Sequence, residues 1–169
     1  MILAGDIGGT NTRLALSNRS EPAVIETLPS REFETFEDVV KHFLSRHEAN
    51  VHRVCFGIAG PVQNGECHAT NLPWAIDSRQ LPAACQLPKC HLINDLEANA
   101  CGIAWLQPED YITIHEPTEN PVGNCAVISP GTGLGESGMF WDVLGWAASS
   151  PLRLRRRTRR LRPAQRGRV

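Results

Sequence analysis

The stretch Gly5-Asp6-Ile7-Gly8-Gly9-Thr10-Asn11 constrains this chain more than any other, because it lies between two short apolar segments, Met1 to Ala4 and Thr12 to Leu16. A glycine-rich connection between two strands is a hairpin. Its three glycines let the backbone approach an anion closely and present N–H groups to it, while Asp6 emerges where a Mg2+-bound phosphate chain could sit. Gly9 in particular is expected to matter for phosphate approach, and for any positive φ the turn needs. Taken alone, the segment reads equally well as an ordinary Gly-rich β-turn, since Gly and Asn mark hairpins of every kind.

A second loop shifts that balance. Gly131-Thr132-Gly133-Leu134-Gly135-Glu136 follows the apolar run Ala126-Val127-Ile128-Ser129 and precedes another apolar segment, Met139 to Trp141. Two hairpins far apart in sequence, each with a hydroxyl residue among glycines, suit a nucleotide held between two similar domains. Neither loop continues into Gly-Lys-Ser/Thr, and the first opens a strand rather than a helix, so a Walker A motif and a dinucleotide fingerprint are both disfavoured.

Between the loops, the apolar run Cys90-His91-Leu92-Ile93 ends in Asn94-Asp95 and passes into a helical pattern with Leu96, Ala100, Ile103 and Ala104 on one face. Two readings of Asp95 stand. It can cap that helix, as Asp commonly does. It can also accept a proton from an attacking hydroxyl while Asn94 orients that hydroxyl, the base-and-positioner pair phosphoryl transfer requires, at a strand end where α/β folds place their chemistry.

The rest of the first 120 residues reads as one α/β lobe. Phe36, Val39, Val40, Phe43 and Leu44 form the apolar stripe of a helix, and Val54 to Ala59 reads as a strand buried on both faces and ended by Gly60-Pro61. Asp77-Ser78 offers a cap for a helix carrying Leu81, Ala84 and Leu87. The predicted order is strands Ile2–Asp6, Thr12–Leu16 and Val24–Leu28, then helix, strand, helix, strand, helix. Trp74 is read as a packing anchor.

The segments GDIGGTNTRLAL, FGIAGPVQNGECHATNLPW, LINDLEANA and GTGLGE, in this order from Ile2 to about Asp142, resemble the bacterial glucokinases of the hexokinase/actin-like ATPase superfamily. The resemblance implies an actin-like (ribonuclease H-like) N-terminal domain with a mixed sheet. It implies ATP-dependent phosphorylation of the primary hydroxyl of glucose to glucose 6-phosphate, the opening step of glycolysis. Asp95 would be the catalytic base, with Asn94, Asp95, Thr70 and Asn71 at the sugar. The ATP phosphates would lie on Gly5, Asp6, Ile7, Gly8, Gly9, Thr10 and Asn11 and on Gly131, Thr132 and Gly133, with Mg2+ arriving on ATP beside Asp6. Full-length relatives would form homodimers.

Composition agrees with a cytoplasmic protein: no signal sequence opens the chain, and no apolar run approaches the length of a membrane span. Cys55, Cys67, Cys85, Cys90, Cys101 and Cys125 show no CxxC pair, so buried reduced thiols are expected rather than a zinc site or a disulfide framework. His42, His47 and His52 are expected to be solvated around one helix, and His68, His91 and His115 have no evident partner.

The C-terminus departs from all of this. Residues 143–169 contain nine of the 17 basic residues, every one an arginine, and none of the 18 acidic ones. The expected organisation is an N-terminal kinase domain at 1–120, the start of a second, larger domain at 121–142, and an Arg-rich tail at 143–169. Out-of-frame translation of a GC-rich coding region accounts for such a tail, and the chain is then a truncated form with little or no activity. A genuine Arg-rich arm would make it a nucleic-acid binder through phosphate contacts, although nucleic acid is not the expected partner. The remaining alternative is another sugar kinase or a sugar-sensing repressor. Against the repressor stand the absence of an N-terminal helix-turn-helix region and of a Cys-x-Cys-Gly string.

Overall fold

The computed structural model describes residues 1–18, 21–69, 71–115, 124–130 and 134–139. The chain divides into two compact units, Met1–Ile103 and Ala104–Val169.

The first unit is an α/β lobe. It runs β1 (Ile2–Ile7), β2 (Asn11–Asn18), β3 (Glu21–Pro29), α1 (Phe36–Arg46), β4 (Arg53–Ile58), β5 (Glu66–His68), β6 (Ala75–Asp77), α2 (Leu81–Cys85), β7 (Cys90–Asn94) and α3 (Asp95–Ile103). Five strands form a sheet in the order β3-β2-β1-β4-β7, while β5 and β6 pair as a separate ribbon. The first three strands form the antiparallel meander read from the sequence, and β4 and β7 lie parallel to β1.

The core follows from the pattern of side chains. Leu3 and Ile7 of β1, Leu14 and Leu16 of β2 and Val54, Phe56 and Ile58 of β4 are buried, alternating along their strands as one sheet face requires. The stripe of α1, Phe36, Val39, Val40 and Phe43, belongs to the same core, with Phe36 edge-on to Phe56 at 4.9 Å between ring centres. Burying each such side chain is worth about 1.5–3 kcal/mol. A reciprocal cap starts α1: Thr35 accepts from the Asp38 backbone N–H, and the Asp38 carboxylate accepts from that of Thr35. Trp74 anchors as expected, 3% exposed, tilted against Phe36 and donating to the Phe33 carbonyl at 3.3 Å.

Several local expectations differ. Asp77 and Ser78 do not cap α2: Asp77 ends β6 and its carboxylate accepts from the Arg79 backbone N–H at 2.8 Å, while Gln80 stands at the helix start with no side-chain cap. The β5–β6 ribbon was not foreseen, because three-residue strands are too short to show a period. In α3 only Ala100 is buried, and Ile103 of the predicted apolar face is 39% exposed. The histidines near α1 are not merely solvated. His47 pairs with Glu26 at 3.0 Å, His42 packs edge-on to Phe33, and His52 Nδ1 lies 2.8 Å from the N-terminal amino group. None of the six cysteines sits in a disulfide, but Cys101 and Cys125 are exposed rather than buried. Burial pushes the Cys90 thiol up to about 12.

In the second unit, β8 (Cys125–Pro130) and β9 (Leu134–Met139) form an antiparallel hairpin. The sequence reading assigned Leu134, Gly135 and Glu136 to the loop, whereas they open β9. No helix among the described residues is long and apolar enough to cross a membrane.

Candidate active site

The site begins with β1. Gly5 lies in the middle of the strand, opposite Leu14 on one side and Phe56 on the other. A Cβ there would stand 2.6 Å from Leu14 Cδ2 and 2.8 Å from Phe56 Cδ1, so this glycine exists for close packing of the sheet. Gly8 and Gly9 form the turn, where the Gly8 backbone N–H donates to the Asn11 carbonyl at 3.1 Å. Positive φ among the described glycines is confined to Gly60 and Gly65, so the left-handed backbone anticipated at Gly9 is not used. What excludes a side chain at Gly9 is Asn71, whose Cβ would lie 2.8 Å from the added one. The hairpin and the Asn71 turn are thus in contact. Thr10 and Asn11 are exposed beside them.

Asp6 has register partners Arg13 on β2 and Gly57 on β4, and Gly57 in turn pairs with Ile93 on β7. Residues in one register row share a face of the sheet. That face carries α3: a Cβ on Gly57 would meet Ala98 Cβ at 3.3 Å and Asp95 Cα at 3.7 Å. Gly57, which the sequence reading passed over, is the gap that lets the start of α3 settle against the sheet and brings Asp95 to the same face as Asp6. Its only sequence signal is a lone glycine inside an otherwise apolar strand, the mark of a close approach.

The Asp95 charge reaches Asp6. The Asp6 carboxyl is held above the ordinary carboxylate range, first by the protein packed around it. Arg13 partly offsets this, and the Asp95 charge adds to it. The Asp95 carboxylate accepts from the Leu96 backbone N–H at 2.9 Å, and Asn94 Oδ1 accepts from the same N–H at 3.1 Å. Asn94 Nδ2 donates to the Gly60 carbonyl at 2.9 Å, tying the end of β7 to the end of β4. Asn94, the residue before α3, thus accepts from the second helical N–H as an N-cap does, whereas Asp95 is the first helical residue and does not cap, and its carboxylate retains acceptor capacity beyond that single bond.

Thr70, Gly131, Thr132 and Gly133 lie outside the described residues. A separate concavity of about 320 Å³ lies around β5 and β6, lined by Glu37, Glu66, His68, Asp77 and Arg79 among others. Within it Arg79 pairs with both Glu66 and Asp77. No group of three or more metal-ligating side chains occurs among the described residues.

A mixed sheet with a glycine hairpin at one strand end and Asn94-Asp95 at another is an architecture of the actin-like fold, and comparison with known proteins narrows it. The glucokinase family model matches residues 3–151. The chain belongs to the glucokinase family. That match runs past the Asp142 boundary set from the sequence. The chain is 38% identical over 149 residues to the glucokinase of Stenotrophomonas maltophilia (strain K279a), covering 82% of this chain and 44% of the relative. It is 39% identical over 143 residues to that of Nostoc sp. (strain PCC 7120), covering 80% and 42%. Among solved structures, a glucokinase from an Antarctic psychrotroph superposes with a TM-score of 0.73 at 29% identity, over 85% of this chain and 47% of that one. A Balamuthia mandrillaris glucokinase solved with glucose shares the fold, with a TM-score of 0.59 at 23% identity over 82% and 44% of the two chains. The chain thus spans less than half the length of the curated relatives it matches.

Proposed function

We propose that this chain supplies the sugar-side lobe of an ATP-dependent glucose kinase. The observation that carries the reading is the meeting of Asp6 and Asp95 on one face of the sheet across Gly57, beside the hairpin that Asn71 contacts. Asp95 takes the proton from the primary hydroxyl of glucose as that oxygen bonds to the γ-phosphorus, and the bond from the γ-phosphorus to the bridging oxygen breaks to release ADP. Asn94 holds the strand ends that set the base, and Thr70 and Asn71 face the sugar. The amides of the Gly5–Asn11 hairpin and of Gly131, Thr132 and Gly133 receive the phosphates. A carboxylate at Asp6 whose ionisation the Asp95 charge makes costlier, and which Arg13 only partly offsets, suits a divalent ion, and Asp6 would hold the Mg2+ that ATP carries. Such an ion neutralises charge on the transferring phosphoryl group.

In organisation, the N-terminal kinase domain of 1–120 is followed from 121 by the start of a second domain, and the tail foreign to the kinase begins beyond the family match, after residue 151 rather than after Asp142. A homodimer would be a property of the full-length family rather than of this chain. A cytoplasmic setting suits six cysteines outside any disulfide and an ATP substrate. The test is a coupled assay with ATP, Mg2+ and glucose. The chain as it stands should show no turnover, because phosphoryl transfer needs a closed, water-excluding cleft. A fusion of residues 1–142 to the remaining part of the Stenotrophomonas maltophilia glucokinase should phosphorylate glucose and lose that activity with Asp95→Asn. A fusion that is active regardless of Asp95 would overturn the assignment.

A further inference from the structure

Thr12 and Ser30 are the two buried polar residues among those described, each 0% exposed, and they lie directly behind the β1–β2 turn. Ser30 Oγ donates to the Gly8 carbonyl at 2.8 Å and lies 3.0 Å from Thr12 Oγ1. A hydroxyl has a single proton, so with that of Ser30 committed to Gly8, Thr12 must donate to Ser30. The Ser30 backbone N–H donates in turn to the Thr10 carbonyl at 2.9 Å. One residue therefore grips two carbonyls of the turn.

The consequence follows from amide geometry. In a trans peptide the C=O and the next N–H point to opposite edges, and no cis bond occurs in the described chain. With the Gly8 and Thr10 carbonyls held toward Ser30, the N–H groups of Gly9 and Asn11 are turned away from it. We infer that Ser30, with Thr12 as its proton donor, is a positioning residue that aims the Gly9 and Asn11 amides at a polyphosphate. This rests on the reading of the hairpin as a phosphate site, and it assigns the residues that make the hairpin competent. Buried hydroxyls are costly unless fully bonded, and an apolar pair would fill the same space, so their presence marks a demand on the orientation of the turn.

The test uses the full chain and inorganic tripolyphosphate or Mg·ATP, with amide resonances of Gly9 and Asn11 followed by NMR. No sugar transfer is involved, so the outcome is independent of whether the chain is a kinase. In the wild-type chain both amides should shift on titration. Ser30→Ala should weaken polyphosphate binding at least tenfold and lose those two shifts while amides of α1 stay unchanged. Thr12→Val should do the same, and Thr12→Ser, which keeps the donor, should restore wild-type behaviour. Thr12→Ser also covers the case in which Ser30→Ala fails to fold. Absence of any shift at Gly9 and Asn11 in the wild-type chain would overturn the inference, as would equal binding by Thr12→Val and Thr12→Ser.

Discussion

The hairpin of β1 and β2 and the hairpin of β8 and β9 share one sequence plan: an apolar strand, glycines around a hydroxyl residue, and another strand. Their surroundings differ. The first is the inner part of a five-stranded sheet, with Leu3, Ile7, Leu14 and Leu16 buried and its turn held from behind by Ser30. The second is a two-stranded ribbon in which Ile128 is 63% and Leu134 66% exposed. A two-stranded ribbon is at best marginally stable by itself. A glycine hairpin becomes a defined binding element when neighbouring strands fix its carbonyls, and the sequence plan alone does not supply that.

The widest gap between the two regions should appear in stability. Leu14→Ala removes a fully buried side chain beside Gly5 and should cost about 2–5 kcal/mol, whereas Leu134→Ala in β9 should stay within about 0.5 kcal/mol. Chemical denaturation of the two variants measures this, and equal losses would break the comparison. In the active fusion, Asp95→Asn should lower turnover at least about a hundredfold with little change in the KM for glucose. Near-normal turnover would remove Asp95 from the role of base.

Gly9→Val sharpens the picture of the first hairpin. The sequence points to a loss far larger for ATP than for the sugar, and the added Cβ would also press on Asn71, so the KM for both ATP and glucose should rise, by about tenfold for ATP and less for the sugar. An effect on ATP alone would show that Asn71 does not face glucose. The smallest effect concerns Asp6. Its carboxyl is raised from 3.8, so its stabilising contribution is present below that value and is lost as pH rises through the raised folded value. Asp6→Asn should therefore raise Tm slightly at pH 7, and the gain should vanish below pH 3.8. A thermal scan across pH checks it, and a lowered Tm at pH 7 would contradict the cost of ionising Asp6 in its surroundings.

Much of the lobe was legible in the residues. The α1 stripe, the N-terminal meander, the apolar β4 and the strand ending in Asn94-Asp95 each show their period or boundary within a few neighbours, and burial then follows from the same alternation. Gly5 and Gly9 were legible as glycines that matter, but the side chains they make room for were not. Gly5 makes room for Leu14 and Phe56, and Gly9 for Asn71, partners that are distant in sequence.

Local chemistry therefore determined the elements and their order, because propensity, periodicity and turn residues act over a few positions. The meeting of Asp6 with Asp95 across Gly57, and the grip of Ser30 on Gly8 and Thr10, were decided by tertiary structure alone. Each depends on which strands become neighbours and in what register, and a one-residue shift in that register would turn Asp6 to the opposite face of the sheet.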